Sequence, residues 1–299
     1  MVKHFIDIDD FEISELKKIL IFAKKIKKNP NKYNNSLNSK TLGMIFEKQS
    51  TRTRLSFYVG MKKMGGNVIE LNKESIGFGK RESKSDIIKV LSAYIDCLMI
   101  RNNDHLEIKK LRNLNCLPII NGLSNYSHPC QILSDIFTIE EKLGPINKLK
   151  ICWVGDINNV LISLIQASKI FKFKLEISAP EHILKKNNAL IKVNQNKLIA
   201  FHKDPKKAVK NADCVMTDTW VSMGEKKDIL KLKCFKKFQV NSNLMQNAKK
   251  KAIFMHCLPA KRNLEVTDEI IDGNQSVVYQ QAQNRMFVQQ SILKYIIQK

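Results

Sequence analysis

The chain has 299 residues, a hydrophobic fraction of 43% and a formal net charge of +23. This length suits two domains of about 150 residues each, and the hydrophobic fraction is enough to give both a core. The charge raises the possibility of nucleic-acid binding, but the lysines are spread along the chain in short pairs, and no basic run is interleaved with aromatic residues. We therefore expect no nucleic-acid partner.

The cysteines and the N-terminus narrow the class of protein further. The seven cysteines include no C-x-x-C pair and no spacing to histidine that is typical of metal ligands. The first ten residues carry acids where a secretory signal needs an apolar core, and no stretch approaches 18 apolar residues. The sequence predicts a reduced, soluble, cytoplasmic protein with no membrane contact, no metal and no organic cofactor.

Strand and helix patterns alternate along the first half of the chain. The predicted elements are a helix over 13–26, a strand over 41–46, a helix over 55–64 preceded by a first turn at 50–54, a strand over 68–71, a helix over 85–94, a strand over 97–100, an apolar stretch over 117–122 and a helix over 132–143. Gly144-Pro145 then interrupts the pattern.

The alternation starts again in the second half. The predicted elements are a strand over 150–156, a helix over 160–171, a strand over 175–178, a helix near 206–211, strands over 214–218 and 252–257, and a final helix over about 282–297. Such alternation predicts an α/β fold of two domains, 1–145 and 146–299, each a parallel sheet flanked by helices. Ligands of such sheets gather at the carboxyl ends of the strands.

Ser50-Thr51-Arg52-Thr53-Arg54 lies where the first strand meets the next helix. Free N–H groups at a helix N-terminus, hydroxyl donors and a guanidinium fork together favour a phosphate group. The simpler reading is an ordinary Ser/Thr cap followed by two solvated arginines. Only seven of the 51 basic residues are arginine, so two of them within five residues indicate a need for planar, bidentate donors.

Other candidate groups follow later strands, and each has a purely structural alternative. His128 could be a satisfied core histidine, Cys257 a small buried hydrophobic residue, and Asp218 a turn residue. Asn158 and Asn159 could both be turn residues. The residues alone leave these alternatives open.

The motifs occur in a characteristic order: S-T-R-T-R at 50–54, Arg101, H-P-C-Q at 128–131, D-T-W-V-S-M-G at 218–224 and H-C-L-P at 256–259. Over nearly its whole length the chain resembles the ornithine carbamoyltransferases, within the aspartate/ornithine carbamoyltransferase superfamily. The resemblance implies that the first domain binds carbamoyl phosphate, the second binds ornithine and the C-terminal helix returns to the first. It also implies a homotrimer, or a multiple of trimers, with active sites at subunit interfaces.

The resemblance implies transfer of the carbamoyl group to the δ-amino group of L-ornithine, giving L-citrulline and phosphate. Cys257, Asp218, Arg101 and His128 are the expected catalytic residues. The expected carbamoyl phosphate ligands are Ser50, Thr51, Arg52, Thr53, Arg101, His128, Pro129, Cys130, Gln131, Cys257, Leu258 and Arg285; the expected ornithine ligands are Asn159, Asp218, Ser222 and Met223. The same groups would serve arginine synthesis or the reverse, degradative direction.

Two departures from the family pattern affect these expectations. Relatives usually place a glutamine near Gly77, where a neighbouring subunit contacts the phosphate, and here Lys80 or Arg81 is the candidate replacement. Asn263 stands where a glycine is common, so we expect a left-handed backbone conformation there.

Related activities and other classes remain as alternatives. Gln131 and the Ser222-Met223-Gly224 loop argue against an aspartate-specific enzyme, and the same loop argues against putrescine. Acetylornithine is the harder amine to exclude. Outside the enzymes, the alternatives are a lysine-rich nucleic-acid-binding protein, which would bind with a steep salt dependence, and a catalytically silent paralogue.

Overall fold

The protein is described by a computed structural model that covers residues 2–74, 76–79, 81–221 and 229–298, without the side chains of residues 229 and 230. Ser222, Met223, Gly224 and Lys80 therefore lie outside the described residues. The chain forms two compact units, Met1–Phe137 with Gln283–Lys299, and Thr138–Ala282. Each unit is described by itself, and the domain limits 1–145 and 146–299 stay a prediction.

The first unit contains a four-stranded, wholly parallel sheet. Its strands are β1 (Thr41–Phe46), β2 (Asn67–Leu71), β3 (Cys97–Arg101) and β4 (Ile119–Leu123), in the spatial order β2-β1-β3-β4. Apolar side chains such as Ile45, Leu98, Ile100 and Ile119 are fully buried in the core. Burial on both faces of β1, β3 and β4 explains the continuous apolar runs of these three strands, whereas the edge strand β2 is largely exposed.

The helices of the first unit connect these strands. They are α1 (Ile13–Lys28), α2 (Thr51–Lys62), α3 (Lys84–Leu91), α4 (His105–Arg112) and α5 (Pro129–Leu143), which continues beyond Phe137 into the second unit. Sequence reasoning missed α4, because its eight residues carry five charged or histidine side chains around a narrow apolar face. It also placed the end of α2 two residues too late, since the chain leaves the helix before Gly65, whose φ is +83°.

The second unit contains a five-stranded parallel sheet. Its strands are β5 (Lys150–Val154), β6 (Lys174–Ser178), β7 (Ile199–His202), β8 (Cys214–Thr217) and β9 (Ile253–His256), in the order β7-β6-β5-β8-β9. The core includes Val154, Val215, Trp220 and Phe254. Sequence reasoning missed β7, an edge strand of four residues with only its first residue buried.

The remaining helices are shorter, apart from the sixth and the last. They are α6 (Asn159–Phe171), α7 (Glu181–Lys186), α8 (Asn188–Asn194), α9 (Pro205–Val209), α10 (Ile229–Phe235), α11 (Ser242–Met245), α12 (Asp268–Ile271) and α13 (Val278–Ile297). The last helix begins four residues before the predicted start, and its residues from Gln283 onward belong to the first unit.

The predicted fold class, two parallel sheets flanked by helices with a C-terminal helix, is confirmed. None of the helices in the described ranges combines the length and the apolar character needed to cross a membrane.

Candidate active site

Each sheet has one point at which the strand order reverses, and several of the candidate residues lie there. In the first sheet, β1 is flanked by β2 on one side and β3 on the other, and Ser50 follows β1 while Arg101 ends β3. In the second sheet, β5 is flanked by β6 and β8, and Asn158 follows β5 while Asp218 follows β8. Open α/β sheets bind ligands in the crevice at such a switch point.

The N-terminus of α2 is held by arginines rather than by an ordinary cap. Ser50 is the N-cap residue, but its side chain makes no capping hydrogen bond. Its Oγ instead accepts from Arg101 Nη1 at 2.8 Å. The simple capping interpretation of Ser50 is therefore wrong, and the hydroxyl serves to hold a guanidinium at the end of β3.

Two arginines converge on the hydroxyl of Thr53. Its Oγ1 accepts from Arg285 Nη2 at 2.9 Å and more weakly from Arg101 Nη1 at 3.4 Å. All three residues are buried. A hydroxyl has two acceptor sites and one donor, so two incoming N–H groups leave its proton for a further acceptor such as a phosphate oxygen.

The other residues of the S-T-R-T-R segment differ in their surroundings. Thr51 is exposed and Arg52 is half-buried. Arg54 forms an ion pair with Glu70, and its guanidinium lies 4.5 Å from the ring centroid of Phe46. The idea that both scarce arginines of this segment serve the phosphate is therefore not supported for Arg54, which is already engaged by an acid and an aromatic ring.

His128, at the start of α5, is buried and electrically neutral. Burial, together with the positive charges of Arg285 and Arg101, lowers the pKa of His128 well below its ordinary value of 6.5. A neutral imidazole near two guanidinium groups adds a hydrogen-bond donor without adding a third positive charge. This arrangement suits an oxygen that becomes negative during a reaction.

The first turn of α5 presents backbone and amide groups. Proline has no N–H group, so Pro129 cannot donate to an anion. The Cys130 thiol donates to the carbonyl oxygen of Asn121 at 3.5 Å, and burial raises its pKa to about 12. If Cys130 donates to carbamoyl phosphate, it must therefore do so through its backbone. Gln131, by contrast, has a buried amide side chain in the same turn.

In the second unit, Asp218 bonds to the predicted Cys257 and to Asn158, which was not a predicted ligand. Its Oδ1 accepts from Cys257 Sγ at 3.1 Å, and its Oδ2 accepts from Asn158 Nδ2 at 2.8 Å. Asn158 also caps α6, because its Oδ1 accepts from the N–H groups of Val160 and Leu161. The structure thus brings the predicted pair of Asp218 and Cys257 together and adds Asn158, for which the sequence offered only a turn.

A buried histidine and a buried glutamate support the turn that carries Cys257. His256 Nδ1 accepts from the Leu258 N–H at 2.9 Å, so its proton is on Nε2, which donates to Glu265 Oε1 at 3.2 Å. Glu265 also accepts from the Lys261 N–H at 2.6 Å. Leu258 has a φ of +56° and precedes a cis peptide bond to Pro259. These contacts hold a backbone conformation that is uncommon for leucine.

Asp218, His256 and Cys257 each place a possible metal-ligand atom within 4.8 Å of the other two. Both ring nitrogens of His256 are already engaged, one by the Leu258 N–H and one by Glu265. A closed zinc site needs four ligands, and a catalytic one needs three from the protein. We therefore interpret the cluster as a hydrogen-bonded pair of Asp218 and Cys257 beside a positioning histidine.

The two departures from the family pattern have different outcomes. Asn263 has a φ of +61°, which confirms the left-handed conformation expected there. Gly77 and Gly79 also have positive φ values, and Arg81 beyond them is exposed. A phosphate contact by Lys80 or Arg81 stays a prediction. The catalytic and substrate-binding roles of all the expected site residues, including Asn159, Leu258, Ser222 and Met223, also stay predictions.

Comparisons with known proteins cover nearly the whole chain. The model of the aspartate/ornithine carbamoyltransferase carbamoyl-P binding domain matches residues 3–141, and the model of the Asp/Orn binding domain matches residues 147–296. An ornithine carbamoyltransferase of Rhodopseudomonas palustris is 46% identical over 99% of this chain and 97% of its own, and one of Brucella suis is 44% identical over 99% and 96%.

Solved structures agree with these sequence relatives. The crystal structure of an ornithine carbamoyltransferase from Burkholderia thailandensis has a TM-score of 0.89 at 36% identity and covers 99% of both chains. The ornithine carbamoyltransferase from Pyrococcus furiosus has a TM-score of 0.89 at 40% identity and covers 99% of this chain and 97% of its own. The fold and these comparisons together identify an enzyme that transfers carbamoyl groups. The chain belongs to the aspartate/ornithine carbamoyltransferase family, as its motifs predicted.

Proposed function

We propose that this protein transfers the carbamoyl group of carbamoyl phosphate to the δ-amino group of L-ornithine, giving L-citrulline and phosphate. The convergence of Arg101 and Arg285 on Thr53 at the N-terminus of α2 supports this proposal most directly. It provides buried, fixed cations at a helix N-terminus, which is the environment that a phosphate dianion requires. The relatives are named ornithine carbamoyltransferases, which supports ornithine as the amine.

The residues assigned to phosphate binding also stabilise phosphate as the leaving group. As the bond between the carbamoyl carbon and the bridging oxygen breaks, negative charge moves onto the departing phosphate. Arg52, Arg285 and the Thr53 hydroxyl are the groups that we assign to this charge. Guanidinium donors held in place before the reaction stabilise the developing charge without reorganisation during it.

Arg101 and His128 are assigned to the carbamoyl oxygen. Attack by the amine converts the planar carbamoyl carbon into a tetrahedral centre and places negative charge on that oxygen. Arg101 is held by Ser50, and the lowered pKa of His128 keeps its imidazole neutral, so that it donates from a single ring N–H. Removing one such donor typically costs about 2.7–4 kcal/mol of transition-state stabilisation.

The nucleophile must be a neutral amine, whereas the ornithine side chain carries an ammonium group in water. One proton therefore has to leave its nitrogen before or during attack. Asp218 and Cys257 share a hydrogen bond, so they form a pair between which a proton can move, and Asn158 fixes the other carboxylate oxygen. We assign removal of the ammonium proton to this pair.

The proposal extends to assembly and cellular setting. The large apolar side chains of Leu55 and Tyr58 on α2 and Ile69 on the edge strand β2 are exposed, which supports a subunit interface close to the S-T-R-T-R segment. We propose a homotrimer, and light scattering after size exclusion tests its mass.

The cysteines bear on the cellular setting that we propose. None of the seven cysteines, all of them described, forms a disulfide, which is in keeping with a cytoplasmic enzyme of arginine biosynthesis.

A colorimetric citrulline assay on the purified protein tests the activity. Carbamoyl phosphate is offered with ornithine, acetylornithine, putrescine or aspartate in separate reactions. Ornithine alone is expected to be carbamoylated at a substantial rate. Turnover of acetylornithine but not of ornithine would make acetylornithine the substrate. If the protein is folded and forms no product with any of the amines, the enzyme assignment is contradicted.

A matched pair of arginine variants tests the site. Arg52→Ala removes the arginine assigned to phosphate, and Arg54→Ala removes one from the same helical turn that is paired with Glu70. We expect loss of citrulline formation in the first variant and retention of most activity in the second. Equal losses in both would show that the segment acts through its overall charge or folding.

A further inference from the structure

We propose that Asp135 fixes the amide orientation of Gln131, so that the Gln131 carbonyl oxygen recognises the amino group of carbamoyl phosphate. This inference rests on the proposed function, because it concerns how the donor substrate is read. It makes Asp135 a positioning residue that acts through Gln131.

The two side chains form a buried pair on one face of α5. Gln131 and Asp135 are four residues apart, which places them on neighbouring turns of the helix. The Gln131 Nε2 group donates to Asp135 Oδ1 at 2.8 Å. Gln131 is 1% exposed and Asp135 is fully buried. Water therefore has little access to this amide, and its orientation depends on what surrounds it.

The chemistry of the pair allows one orientation. An ionised carboxylate only accepts hydrogen bonds, whereas an amide has a donating and an accepting end. The donating end of Gln131 faces Asp135 in the structure, and a flipped amide would place the Gln131 oxygen against a carboxylate oxygen. Bonds to a charged acceptor are stronger than neutral ones, so the flip is strongly disfavoured.

The accepting end of Gln131 remains available. Its Oε1 atom has no hydrogen-bond partner in the part of the chain that the structure describes. Buried polar atoms are generally hydrogen-bonded, so an unpartnered buried carbonyl calls for an external donor. Gln131 lies in the first turn of α5, where its backbone N–H bonds to the carbonyl of His128. The donor that would satisfy Gln131 Oε1 therefore lies close to His128, which we assign to the carbamoyl oxygen.

A carbamoyl group matches this need. Its oxygen accepts, its amino group donates, and the two ends are similar in size. Arg101 and His128 are donors and suit the oxygen, whereas Gln131 Oε1 is an acceptor and suits the amino group. With Gln131 fixed in this way, the site reads both ends of the carbamoyl group and opposes binding with the two ends exchanged.

Acetyl phosphate provides the probe, because it keeps the phosphate and the carbonyl and replaces the amino group by a methyl group. The ratio of its dissociation constant to that of carbamoyl phosphate, measured by calorimetry on the full-length protein, reports the bond to Gln131 Oε1. Asp135→Asn lets the Gln131 amide adopt both orientations, and we expect this ratio to fall about three- to tenfold. Ser134→Ala, a change of a buried side chain on the same helix, is expected to keep the ratio of the wild type.

A double-mutant cycle tests whether Asp135 acts through Gln131. Asp135→Asn is expected to have no further effect on the ratio when it is combined with Gln131→Ala. An unchanged ratio in Asp135→Asn, or an equal effect with and without the Gln131 side chain, would overturn the inference. Failure of the wild type to bind carbamoyl phosphate would instead overturn the proposed function together with this inference.

A charge-conserving exchange carries the test if Asp135→Asn alone does not fold. Gln131→Glu combined with Asp135→Asn moves the carboxylate to position 131, where the new asparagine amide donates to it. An acceptor oxygen is then again available to the carbamoyl amino group. We expect a ratio within threefold of the wild type, and a ratio equal to that of Gln131→Ala would contradict the inference.

Discussion

Replacing Thr53 by valine removes one hydroxyl and nearly preserves the shape of the side chain. The hydroxyl accepts from Arg285 at 2.9 Å and from Arg101 at 3.4 Å, which leaves its own proton for the phosphate group that we propose to bind there. A hydrogen bond to a charged group contributes about 1.5–3 kcal/mol. At 1.4 kcal/mol for each factor of ten, loss of the well-formed bond to Arg285 lowers kcat/KM for carbamoyl phosphate about 10- to 150-fold.

Steady-state citrulline formation at varied carbamoyl phosphate concentration measures this change, and thermal unfolding of the same samples checks the fold. Thr53→Ser is the matched control, because it keeps the hydroxyl and loses only the methyl group. We expect its kcat/KM to stay within about threefold of the wild type. A folded Thr53→Val enzyme with unchanged kcat/KM would refute the idea that this hydroxyl organises the two arginines.

Three further substitutions test other parts of the structure. Burial alone would raise the pKa of Asp7, but hydrogen bonds from His105 and other donors lower it to about 2. Asp7→Asn should therefore cost about 2.5 kcal/mol of unfolding free energy above pH 4, and acid titration should show that difference shrinking as the pH falls toward 2. Asn158→Ala removes the α6 cap and the bond to Asp218. Calorimetry should show a loss of about 1 kcal/mol of unfolding free energy, and the citrulline assay should show a lower kcat. A fall in stability with an unchanged kcat would limit the role of Asn158 to capping. Asn263→Ala and Asn263→Gly both lose the side-chain hydrogen bonds to Asp268, so urea unfolding should show the alanine variant about 1 kcal/mol less stable than the glycine variant because of the positive φ.

The fold class and the candidate motifs could be identified from the sequence because both depend on local patterns. Strand periodicity, helix termini and short motifs such as S-T-R-T-R can be read within about ten residues. The partners of those motifs cannot, because they come from distant parts of the chain. Arg285 lies 232 residues from Thr53, and His105 lies 98 residues from Asp7. No local pattern links such pairs.

Asn158 and Arg54 show the same limit within a motif. Asn158 and Asn159 are neighbours in the sequence. Asn158 bonds to Asp218, which follows the adjacent strand β8, and the sequence does not show this contact. Arg54 follows Arg52 by two residues, but the edge strand β2 brings Glu70 beside it. Residue type and spacing identify a candidate site, and the sheet topology decides which candidate reaches it.

The choice between arginine and lysine follows from this geometry. The chain uses only seven arginines among 51 basic residues, and some of them make contacts that a lysine could not reproduce. Arg101 bonds to two hydroxyls, and Arg262 bonds to both Asp268 and Asp272. Each of these contacts needs several donors in one plane, which a guanidinium has and an ammonium lacks. The arginines that meet at Thr53 therefore reflect geometry as well as charge, which is why a chain so rich in lysine still places arginine at the proposed phosphate site.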